Sequence, residues 1–466
     1  MEKHILSKST YIKGEQCLKQ LYLHKKRSFL RDRMPAERLA VFRRGTNVGI
    51  YAQNLFPGGI DAGPKHPSQY RKAIERTSIL IQEGQNIIYE AGFQANKTLI
   101  LLDILVKNED AWDAYEVKSS KKLSETYYKD AALQYYVLEK AGLKINSFSL
   151  IHINENYVMD KTMDIHKLFV ITDVTKEVKQ RKKHVETKIA EELSILEVDH
   201  SPKIEIGIQC FSPYDCDFIG HCWKKVTKPS VFDIPSISTE QQFELYNNNK
   251  DFNNLVKNQE LTNIQQLQIK SKIENKEIIN FDSNNLLRIQ KINYEIDNYI
   301  FIKVLYFTPA LPLYVGTRPY QPIPFAIANS KIGNKETDIE KFIADGKENP
   351  EIQIKNKLND LLKSKKAIVY NCVIDKYEVF DLKQLIETGN YYHPEISKDY
   401  SNKTVSKAIG IKPPWKGISS DIVAAQYYDE ILGNHKDSQK KKEDIFKYLK
   451  REIEFLNKLW NRINCQ

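Results

Sequence analysis

Hydrophobic and polar positions follow two different periods along the chain, and these periods predict both helices and strands. In the first half, apolar residues recur at helical spacing over residues 38–55 and 127–142. Strand-like apolar runs lie at residues 87–89, 99–105, 114–117 and 148–153. The pattern therefore predicts the order α, β, β, β, α, β in this half and an α/β fold class.

The second half shows the same mixture of periods. Strands are predicted at residues 299–307, 324–328 and 367–371. A closing helix is predicted because one of its faces is apolar; that face carries Leu449, Ile453, Leu456, Trp460 and Ile463.

A change in composition divides the chain. Residues 226–240 contain Pro229, Pro235 and several serines, which indicate a linker. A chain of 466 residues also exceeds the size at which a single core stops growing, roughly 250 to 300 residues. We therefore predict a domain over residues 1–225, a linker over 226–240 and a second domain over 241–466.

Composition and charge narrow the class of protein. The chain is 41% hydrophobic and 28% charged, which places it outside the disordered and collagen-like classes. Its 70 lysines and arginines outnumber 60 acidic residues, and the net charge of +10 favours a polyanionic partner without identifying it. No apolar run reaches the roughly 18 residues of a membrane span, and residues 1–11 lack the apolar core of a signal peptide. We expect a cytoplasmic protein.

The first candidate for chemistry is an acidic and basic pattern at two strand ends. Asp103 follows an apolar run, and Glu116-Val117-Lys118 ends the next strand. Alternation along a strand puts Glu116 and Lys118 on one face and Val117 on the other, and a neighbouring strand can bring Asp103 alongside. Two carboxylates suit a hard cation such as Mg²⁺, and an ammonium can orient a metal-activated water and offset charge on a phosphate. Phosphodiester hydrolysis is the reaction class that this pattern favours.

The same E-x-K pattern is also typical of an exposed cross-strand charge pair. The following helix favours the catalytic interpretation, because Tyr127, Asp130 and Gln134 share one of its faces. Gln134 can hydrogen-bond a substrate or a nucleophilic water there, although a glutamine in mid-helix is commonly just solvated.

A second candidate is a group of cysteines. Six cysteines are too few for a disulfide scaffold in so long a chain, so in a reducing compartment a cluster of them points to metal binding or catalysis. Cys210, Cys216 and Cys222 have the spacing C-x5-C-x5-C in a loop that also contains Pro213 and Gly220. Such a loop can bring three thiolates to a common centre, and a fourth ligand must come from elsewhere.

The order of Asp103, Glu116-Val117-Lys118 and Gln134 resembles that of the PD-(D/E)XK nucleases of the RecB and AddB type. The resemblance implies a restriction-endonuclease-like core and a deoxyribonuclease that acts on single- or double-stranded DNA. It also implies that Asp103 and Glu116 hold Mg²⁺ or Mn²⁺, and that Lys118 and Gln134 take part in catalysis with them.

Several of those nucleases bind a 4Fe-4S cluster through one cysteine before the nuclease core and three after it. Cys17 precedes the core here, and Cys210, Cys216 and Cys222 follow it. The resemblance therefore implies an iron-sulfur clasp formed by these four residues. Four thiolates also suit zinc, although the paired C-x2-4-C knuckles typical of zinc sites are absent. Cys17 as an ordinary buried thiol is the remaining alternative.

A closer resemblance is to a bacterial family that fuses such an iron-sulfur nuclease domain to a DEDD-type exonuclease lobe with an RNase H-like fold. Gly49 stands where many RecB-type nucleases carry a metal-binding histidine, so we expect Glu90 to supply the missing metal ligand, or else to be an exposed strand residue. The motifs that carry this resemblance are Arg44-Gly45, Val48-Gly49, Leu55-Phe56-Pro57-Gly58-Gly59, Glu90 and His152-Ile153-Asn154.

The second lobe of that family resembles the segment that includes residues 309–325. Active members carry a D-x-E pair on the preceding strand, where this chain has Lys303 and Leu305. Asp375 matches a later acidic position, and Tyr448 with Glu452 keeps the spacing of the last motif. An ammonium and an apolar side chain cannot ligate Mg²⁺, so the resemblance implies a non-catalytic lobe kept for structure, nucleic-acid binding or docking of a protein partner.

Three functional hypotheses follow. The first is a metal-dependent DNA nuclease with a structural 4Fe-4S cluster. The second is a catalytically inactive nucleic-acid-binding or scaffold protein. The third is a zinc-stabilised interaction module.

Overall fold

A computed structural model of the chain describes residues 4–248, 252–257, 260–333, 338–412, 417–433 and 437–464. The side chains of residues 42, 44–47, 67 and 256–257 lie outside this description, and so does the motif Arg44-Gly45. The chain forms two compact units. The first consists of Met1–Lys225 with Pro309–Gln321, and the second of Val226–Thr308 with Pro322–Gln466. Each unit contains a mixed β-sheet with helices, so the α/β class is confirmed.

The first unit is built on a seven-stranded sheet with the order β2-β3-β4-β5-β6-β7, and β1 pairs with β4 as well. Strands β3, β4 and β5 form an antiparallel meander, and β6 returns parallel to β5. The strands are β1 (Leu6–Ser7), β2 (Ile60–Asp61), β3 (Ile87–Ala95), β4 (Thr98–Asn108), β5 (Ala111–Lys118), β6 (Ile145–Ile153) and β7 (Phe169–Asp173).

Nine helices among the described residues accompany this sheet. The crossover between the parallel strands β5 and β6 is the helix α5, because parallel strands cannot be joined by a tight turn and need a longer connection, which is usually a helix. The helices are α1 (Lys8–Gln16), α2 (Leu18–Lys26), α3 (Ala36–Gln53), α4 (Tyr70–Gln82), α5 (Glu125–Lys140), α6 (Ile165–Leu168), α7 (Thr175–Gln180), α8 (Lys182–Glu197) and α9 (Ile219–Cys222).

Two cores cover the faces of this sheet. One core joins α5 to β3, β4 and β6 through side chains such as Leu133, Leu102 and Phe148. The other core contains Ile104 and Ile151 and extends to Leu311. The chain alternates between these two cores because successive strand residues point to opposite faces.

The segment Pro309–Gln321 belongs to the first unit although it follows β9 of the second. Ala310 and Leu311 are buried in the first unit's core, and Met159 exchanges backbone hydrogen bonds with Thr317 (3.0 Å) and Gly316 (2.7 Å). The predicted second domain, residues 241–466, includes this segment. It lies in the first because its apolar side chains complete a core there.

The second unit contains a five-stranded sheet with the order β11-β10-β9-β12-β13 and a two-stranded sheet of β8 and β14. In the larger sheet β10 is antiparallel to both neighbours, whereas β9, β12 and β13 run parallel. The strands are β8 (Ile278–Ile279), β9 (Tyr299–Phe307), β10 (Ile323–Lys331), β11 (Glu340–Ile343), β12 (Lys366–Val369), β13 (Val379–Asp381) and β14 (Tyr391–Tyr392).

Helices of the second unit pack on both faces of β9. Ile300, Ile302 and Val304 lie in a core with α13, and the alternate residues of β9 face α16 and α17. The helices are α10 (Thr239–Asn247), α11 (Asn263–Glu274), α12 (Ser283–Tyr294), α13 (Pro350–Leu362), α14 (Leu382–Leu385), α15 (Asn402–Ala408), α16 (Asp421–Leu432) and α17 (Ser438–Asn464).

The stretch over 226–240 differs from the linker that its prolines predict. Val231, Phe232, Ile234 and Ile237 are buried, and Ser230 with Asp233 caps a short 3₁₀ turn. These apolar residues pack because they find partners such as Phe243 of α10, whose ring contacts that of Phe232.

The main strands and helices agree with the hydrophobic pattern. The predicted strands correspond to β3, β4, β5, β6, β9, β10 and β12, and the predicted helices to α3, α5 and α17. No helix in the described part of the chain is long and apolar enough to cross a membrane.

Candidate active site

Three acidic residues lie on three neighbouring strands of the first unit. In the β3–β4 pair Tyr89 is opposite Ile104 and Ala91 is opposite Leu102, which places Glu90 opposite Asp103. Glu116 lies on β5, the other neighbour of β4. The charges of Glu90, Glu116 and Asp103 act on one another, so the sheet brings together the three carboxylates that the sequence selected.

Glu116 is the most buried of the three carboxylates, at 2% exposure. Its Oε1 atom accepts hydrogen bonds from the Nζ atoms of Lys118 and Lys8, each at 2.7 Å. Its Oε2 atom is buried and has no hydrogen-bond partner among the described residues. Burial alone would raise the pKa of Glu116, but the ammonium groups of Lys118 and Lys8 outweigh burial and hold the pKa well below its usual range.

Lys118 is held on two sides. Its Nζ atom contacts Asp130 of α5 in addition to Glu116, and it lies 5.2 Å from the centre of the Tyr127 ring. Burial would lower the pKa of Lys118, but the charges of Asp130 and Glu116 raise it above its usual value. Lys118 is therefore a fixed ammonium at physiological pH, and Val117 packs against the opposite core as predicted.

Asp103 lies where β4 and β5 separate. The ladder between the two strands ends at the pair Ile104 and Tyr115, and the Oδ2 atom of Asp103 then accepts a 2.6 Å hydrogen bond from the backbone N–H of Val117. Burial and the charge of Glu116 raise the pKa of Asp103 well above its usual value, against the opposing effect of Lys8. Asp103 is thus oriented by the strand that carries Glu116 and Lys118.

Glu90 has an unusual backbone conformation. Its φ of 51° lies in the left-handed region, which a non-glycine residue adopts only where its surroundings impose it. Gly63 permits this arrangement, because a Cβ atom there would lie 2.9 Å from the Cβ of Glu90. Burial raises the pKa of Glu90, and Glu116 and Asp61 raise it further while Lys8 lowers it.

Gln134 is on α5 one turn beyond Asp130 and is fully buried. Neither atom of its amide group has a hydrogen-bond partner among the described residues. The three residues predicted to share a helix face therefore have different surroundings. Tyr127 and Asp130 contact Lys118, whereas Gln134 is not hydrogen-bonded to any of the site's charged groups.

Lys8 and the role of Asp130 were missed by the sequence interpretation. Strand β1 pairs parallel with the start of β4, Leu6 opposite Thr98 and Ser7 opposite Leu99, and α1 begins at the next residue. This places Lys8 beside β5 at the level of Glu116. The only sequence signal is the short apolar pair before Ser7, and two residues are too few for a strand to be predicted from alternation.

The four selected cysteines of the first unit line one cavity of about 20 Å³. Cys17 lies between α1 and α2, Cys210 ends a 3₁₀ turn, and Cys222 ends α9. None of the described cysteines forms a disulfide. Burial, with the nearby charges of Cys210, Cys17 and Cys222, raises the pKa of the Cys216 thiol to about 12.

The loop that carries three of these cysteines is tied to the N-terminal helices. Gln16 donates hydrogen bonds of 2.7 Å to the carbonyl oxygens of Gln209 and Tyr214. Asp217 is buried and accepts from Lys13 at 2.7 Å and from Arg38 at 2.8 Å. These contacts bring together parts of the chain that are far apart in sequence.

The donor chemistry fits the two groups that the resemblance implies. Three carboxylates with an unpaired buried oxygen suit a hard divalent cation, and four thiols around a mostly apolar cavity suit an iron-sulfur cluster or zinc. In the described part of the chain, however, no group of three or more His, Cys, Asp or Glu residues is arranged to hold a metal ion. At the carboxylates it is the ammonium groups of Lys8 and Lys118 that contact Glu116.

The second unit has a charge cluster at Lys303, one of the two positions where the resemblance implies that metal ligands are missing. The Nζ atom of Lys303 lies 2.9 Å from Asp421 and 3.2 Å from Glu452, and the hydroxyl of Tyr448 donates to Asp421 at 2.6 Å. The charges of Asp421 and Glu452 overcome the effect of burial and raise the pKa of Lys303. Asp421 was not selected from the sequence.

The other two positions of the predicted motif differ from this cluster. Leu305 is fully buried, as its apolar side chain requires. Asp375 is exposed in the turn after β12, and the ion pairs of Lys303 with described residues are to Asp421 and Glu452 instead. The acidic partners of Lys303 therefore come from α16 and α17 alone among the described residues.

No model of a known protein family matches the chain, and no curated protein sequence matches it.

Proposed function

We propose that the first unit is a metal-dependent deoxyribonuclease of the PD-(D/E)XK type that hydrolyses phosphodiester bonds in single- or double-stranded DNA. The observation that carries this proposal is the convergence of Glu90, Asp103 and Glu116 on three neighbouring strands, with Lys118 anchored beside them. The restriction-endonuclease-like core and a cytoplasmic location are parts of the same proposal.

Each side chain has a role that follows from its surroundings. Asp103 and Glu116, with Glu90, would hold Mg²⁺ or Mn²⁺, which supplies a Lewis acid and a bound water of lowered pKa. Asp130 and Tyr127 hold the ammonium of Lys118 in place, so Lys118 can donate to a phosphate oxygen without first having to be oriented. Gln134 would orient the substrate or the attacking water.

The variant Asp103→Asn tests the proposal. The amide keeps the size of the side chain and an acceptor for the N–H of Val117, but it removes the charge. Because a metal ion contributes several kcal/mol to such a reaction, we expect Mn²⁺-dependent cleavage of labelled DNA to fall on the order of 100-fold or more. Asp110→Asn is the matched control, since Asp110 is exposed in the β4–β5 hairpin and should leave cleavage unchanged.

One observation favours a second candidate function. Lys8 and Lys118 both form ion pairs with Glu116, as they would in a catalytically inactive nucleic-acid-binding or scaffold protein. Salt-sensitive binding of DNA with no metal-dependent cleavage would support that alternative. Equal cleavage by the wild type and Asp103→Asn would contradict the first proposal.

We propose further that Cys17, Cys210, Cys216 and Cys222 bind a structural 4Fe-4S cluster. Their common cavity and the absence of disulfides among the described cysteines support this assignment. When bound, the cluster would clasp the N-terminal helices to the loop after α8 and close a chain loop of roughly 190 residues, which restricts the unfolded chain.

The colour and metal content of the protein test this assignment. We expect anaerobically purified protein to be brown, to absorb near roughly 400 nm and to contain iron and sulfide, and we expect Cys216→Ser to lose most of this absorbance. Cys372→Ser is the control, because Cys372 is a buried free thiol of the second unit. A colourless protein that contains zinc would favour the zinc-stabilised interaction module.

We propose that the second unit is an RNase H-like lobe without catalytic activity. A mixed five-stranded sheet covered by helices supports the fold, and the ammonium of Lys303 between Asp421 and Glu452 supports the loss of metal chemistry. Such a lobe would serve in structure, in nucleic-acid binding or in docking a protein partner.

A further inference from the structure

A second ammonium group lies at the carboxylates, and the nuclease proposal gives it no role. The Nζ atom of Lys8 is 2.7 Å from the Oε1 atom of Glu116, the same oxygen that accepts from Lys118 at 2.7 Å. The charge of Asp103 raises the pKa of Lys8, and the charge of Lys8 lowers the pKa of Glu90. Among the described residues, Lys8 is therefore a cation whose charge acts on all three carboxylates.

The two ammonium groups are held differently. Lys118 has a second carboxylate, Asp130, and an aromatic ring on its far side, and its side chain is 13% exposed. Lys8 is hydrogen-bonded only to Glu116 among the described residues, and its side chain is 31% exposed. Breaking one hydrogen bond would release the ammonium of Lys8 from Glu116, whereas Lys118 would have to leave two carboxylates.

A divalent ion and the ammonium of Lys8 would compete for the same negative charge. Glu116, Asp103 and Glu90 can offer oxygen ligands to a metal ion only if no other cation already neutralises them, because two cations a few ångströms apart repel. Lys8 can withdraw because a lysine ammonium is a point charge on a flexible stem with few geometric demands.

We propose that Lys8 exchanges with the divalent ion: its ammonium neutralises Glu116 in the metal-free protein and leaves that carboxylate when the ion binds. The proposal rests on the nuclease function proposed above. It makes Lys8 a positioning residue that keeps three neighbouring carboxylates compatible with a folded sheet until the metal arrives. Its consequence is that the wild-type protein binds the ion less tightly than the carboxylates alone would.

Binding of Mn²⁺, followed by electron paramagnetic resonance of the free ion or by calorimetry, tests this exchange on the full chain without any nuclease substrate. We expect Lys8→Met to bind Mn²⁺ roughly tenfold more tightly than the wild type, the usual scale of coupling between two competing ligands. Lys8→Gln, which can still donate to Glu116 but carries no charge, should also bind more tightly. If Lys8 had a merely structural role, its replacement would disorder the carboxylates and weaken the binding of Mn²⁺.

Two controls separate the possible results. Lys122→Met removes an exposed charge after β5 and should change the affinity less than about twofold, since exposed charges are screened. Asp103→Asn should abolish the same binding.

If Asp103→Asn binds Mn²⁺ as the wild type does, or no protein binds it, the nuclease function fails and the exchange with it. If Asp103→Asn loses binding but Lys8→Met and Lys8→Gln bind no more tightly than the wild type, the exchange alone is wrong.

Discussion

At the scale of single residues, the candidate site is defined by charges that are close together and only partly balanced. Glu116 receives two ammonium groups on one oxygen, while its other oxygen is buried without a partner among the described residues. An unpaired buried oxygen is costly unless a ligand satisfies it. A bound cation would satisfy this oxygen. The proposed role in phosphate chemistry therefore rests on the geometry of the site and not on the basic composition of the chain.

Glu192 is another buried carboxyl group, and it differs from Glu116 because no ammonium group is hydrogen-bonded to it among the described residues. It is fully buried on α8, and neither of its oxygens has a hydrogen-bond partner in the described protein. It packs against Gly14 of α1, where a Cβ atom would come within 2.2 Å of its Oε1 atom. Burial, reinforced by the charges of Glu15 and Glu191 against that of Lys188, raises the pKa of Glu192 to about 9.

The pH dependence of stability tests this assignment for Glu192. Between its unfolded pKa, roughly 4.3, and a folded pKa of about 9, the folded protein keeps a proton that the unfolded chain releases. Rising pH therefore costs stability, by at most about 1.4 kcal/mol per pH unit. Glu192→Gln removes this cost, so its melting temperature should exceed that of the wild type by a margin that grows from pH 6 to pH 9.

Glu197→Gln serves as the control for that experiment, because Glu197 is an exposed residue at the end of α8. It should shift the melting temperature by a similar small amount at every pH. A constant difference between Glu192→Gln and the wild type over the same range would show that Glu192 is ionised in the folded protein.

At the scale of elements, short and irregular pieces bring the functional groups together. The antiparallel strands β3, β4 and β5 carry Glu90, Asp103 and Glu116 at one level, and α5 supplies Asp130. The two-residue strand β1 adds Lys8. The long strands follow from alternation and could be predicted, whereas β1 depends on pairing with a distant strand and leaves almost no trace in the local sequence.

In the second unit, β9, α16 and α17 meet at Lys303. Removing one partner of a buried ion pair leaves the other charge uncompensated. We expect Lys303→Met to destabilise the second unit by about 3 kcal/mol in urea unfolding, because Glu452 would stay buried after losing its ammonium partner. The nuclease activity proposed for the first unit should be unchanged.

A double-mutant cycle tests whether the ion pair between Lys303 and Glu452 causes that loss of stability. Lys303→Met combined with Glu452→Gln should be less destabilised than the sum of the two single variants, since the pair is removed together. Strict additivity of the two changes would mean that the 3.2 Å contact contributes nothing to stability.

At the scale of the whole chain, the two units are not two consecutive stretches of sequence. Residues Pro309–Gln321 interrupt the second unit between β9 and β10 and complete a core of the first. Within the first unit the hydroxyl of Tyr320 donates to the carbonyl oxygen of Ser119, the residue after Lys118. The first unit therefore needs a segment that is encoded far beyond its apparent boundary.

This arrangement shows what a single sequence can and cannot predict. The boundary near Lys225 leaves a signal in local composition, and the cysteines and the D…E-x-K pattern leave one in spacing. The segment Pro309–Gln321 leaves none, because its apolar residues suit either core equally well. The partners of Lys303 could not be predicted for the same reason, since Asp421 and Glu452 belong to helices that reach β9 only through tertiary packing.

Leu311 tests the assignment of this segment. It is 7% exposed in the first unit's core, and truncation of such a leucine costs about 2 to 5 kcal/mol. We expect Leu311→Ala to accelerate hydrogen exchange in β4 and β6, whereas Leu313→Ala, at an exposed position of the same segment, should not. Faster exchange confined to the second unit would contradict the assignment.

The most direct test of the proposed nuclease is cleavage of single- and double-stranded DNA by anaerobically purified full-length protein, with Mg²⁺ or Mn²⁺ and with a chelator. The carboxylates of Asp103 and Glu116 and the anchored ammonium of Lys118 predict cleavage that needs the metal ion and is lost in Lys118→Ala, while circular dichroism shows that the variant is folded. Cleavage that persists in the chelator, or that is unchanged in folded Lys118→Ala, would contradict a metal-dependent site at these residues.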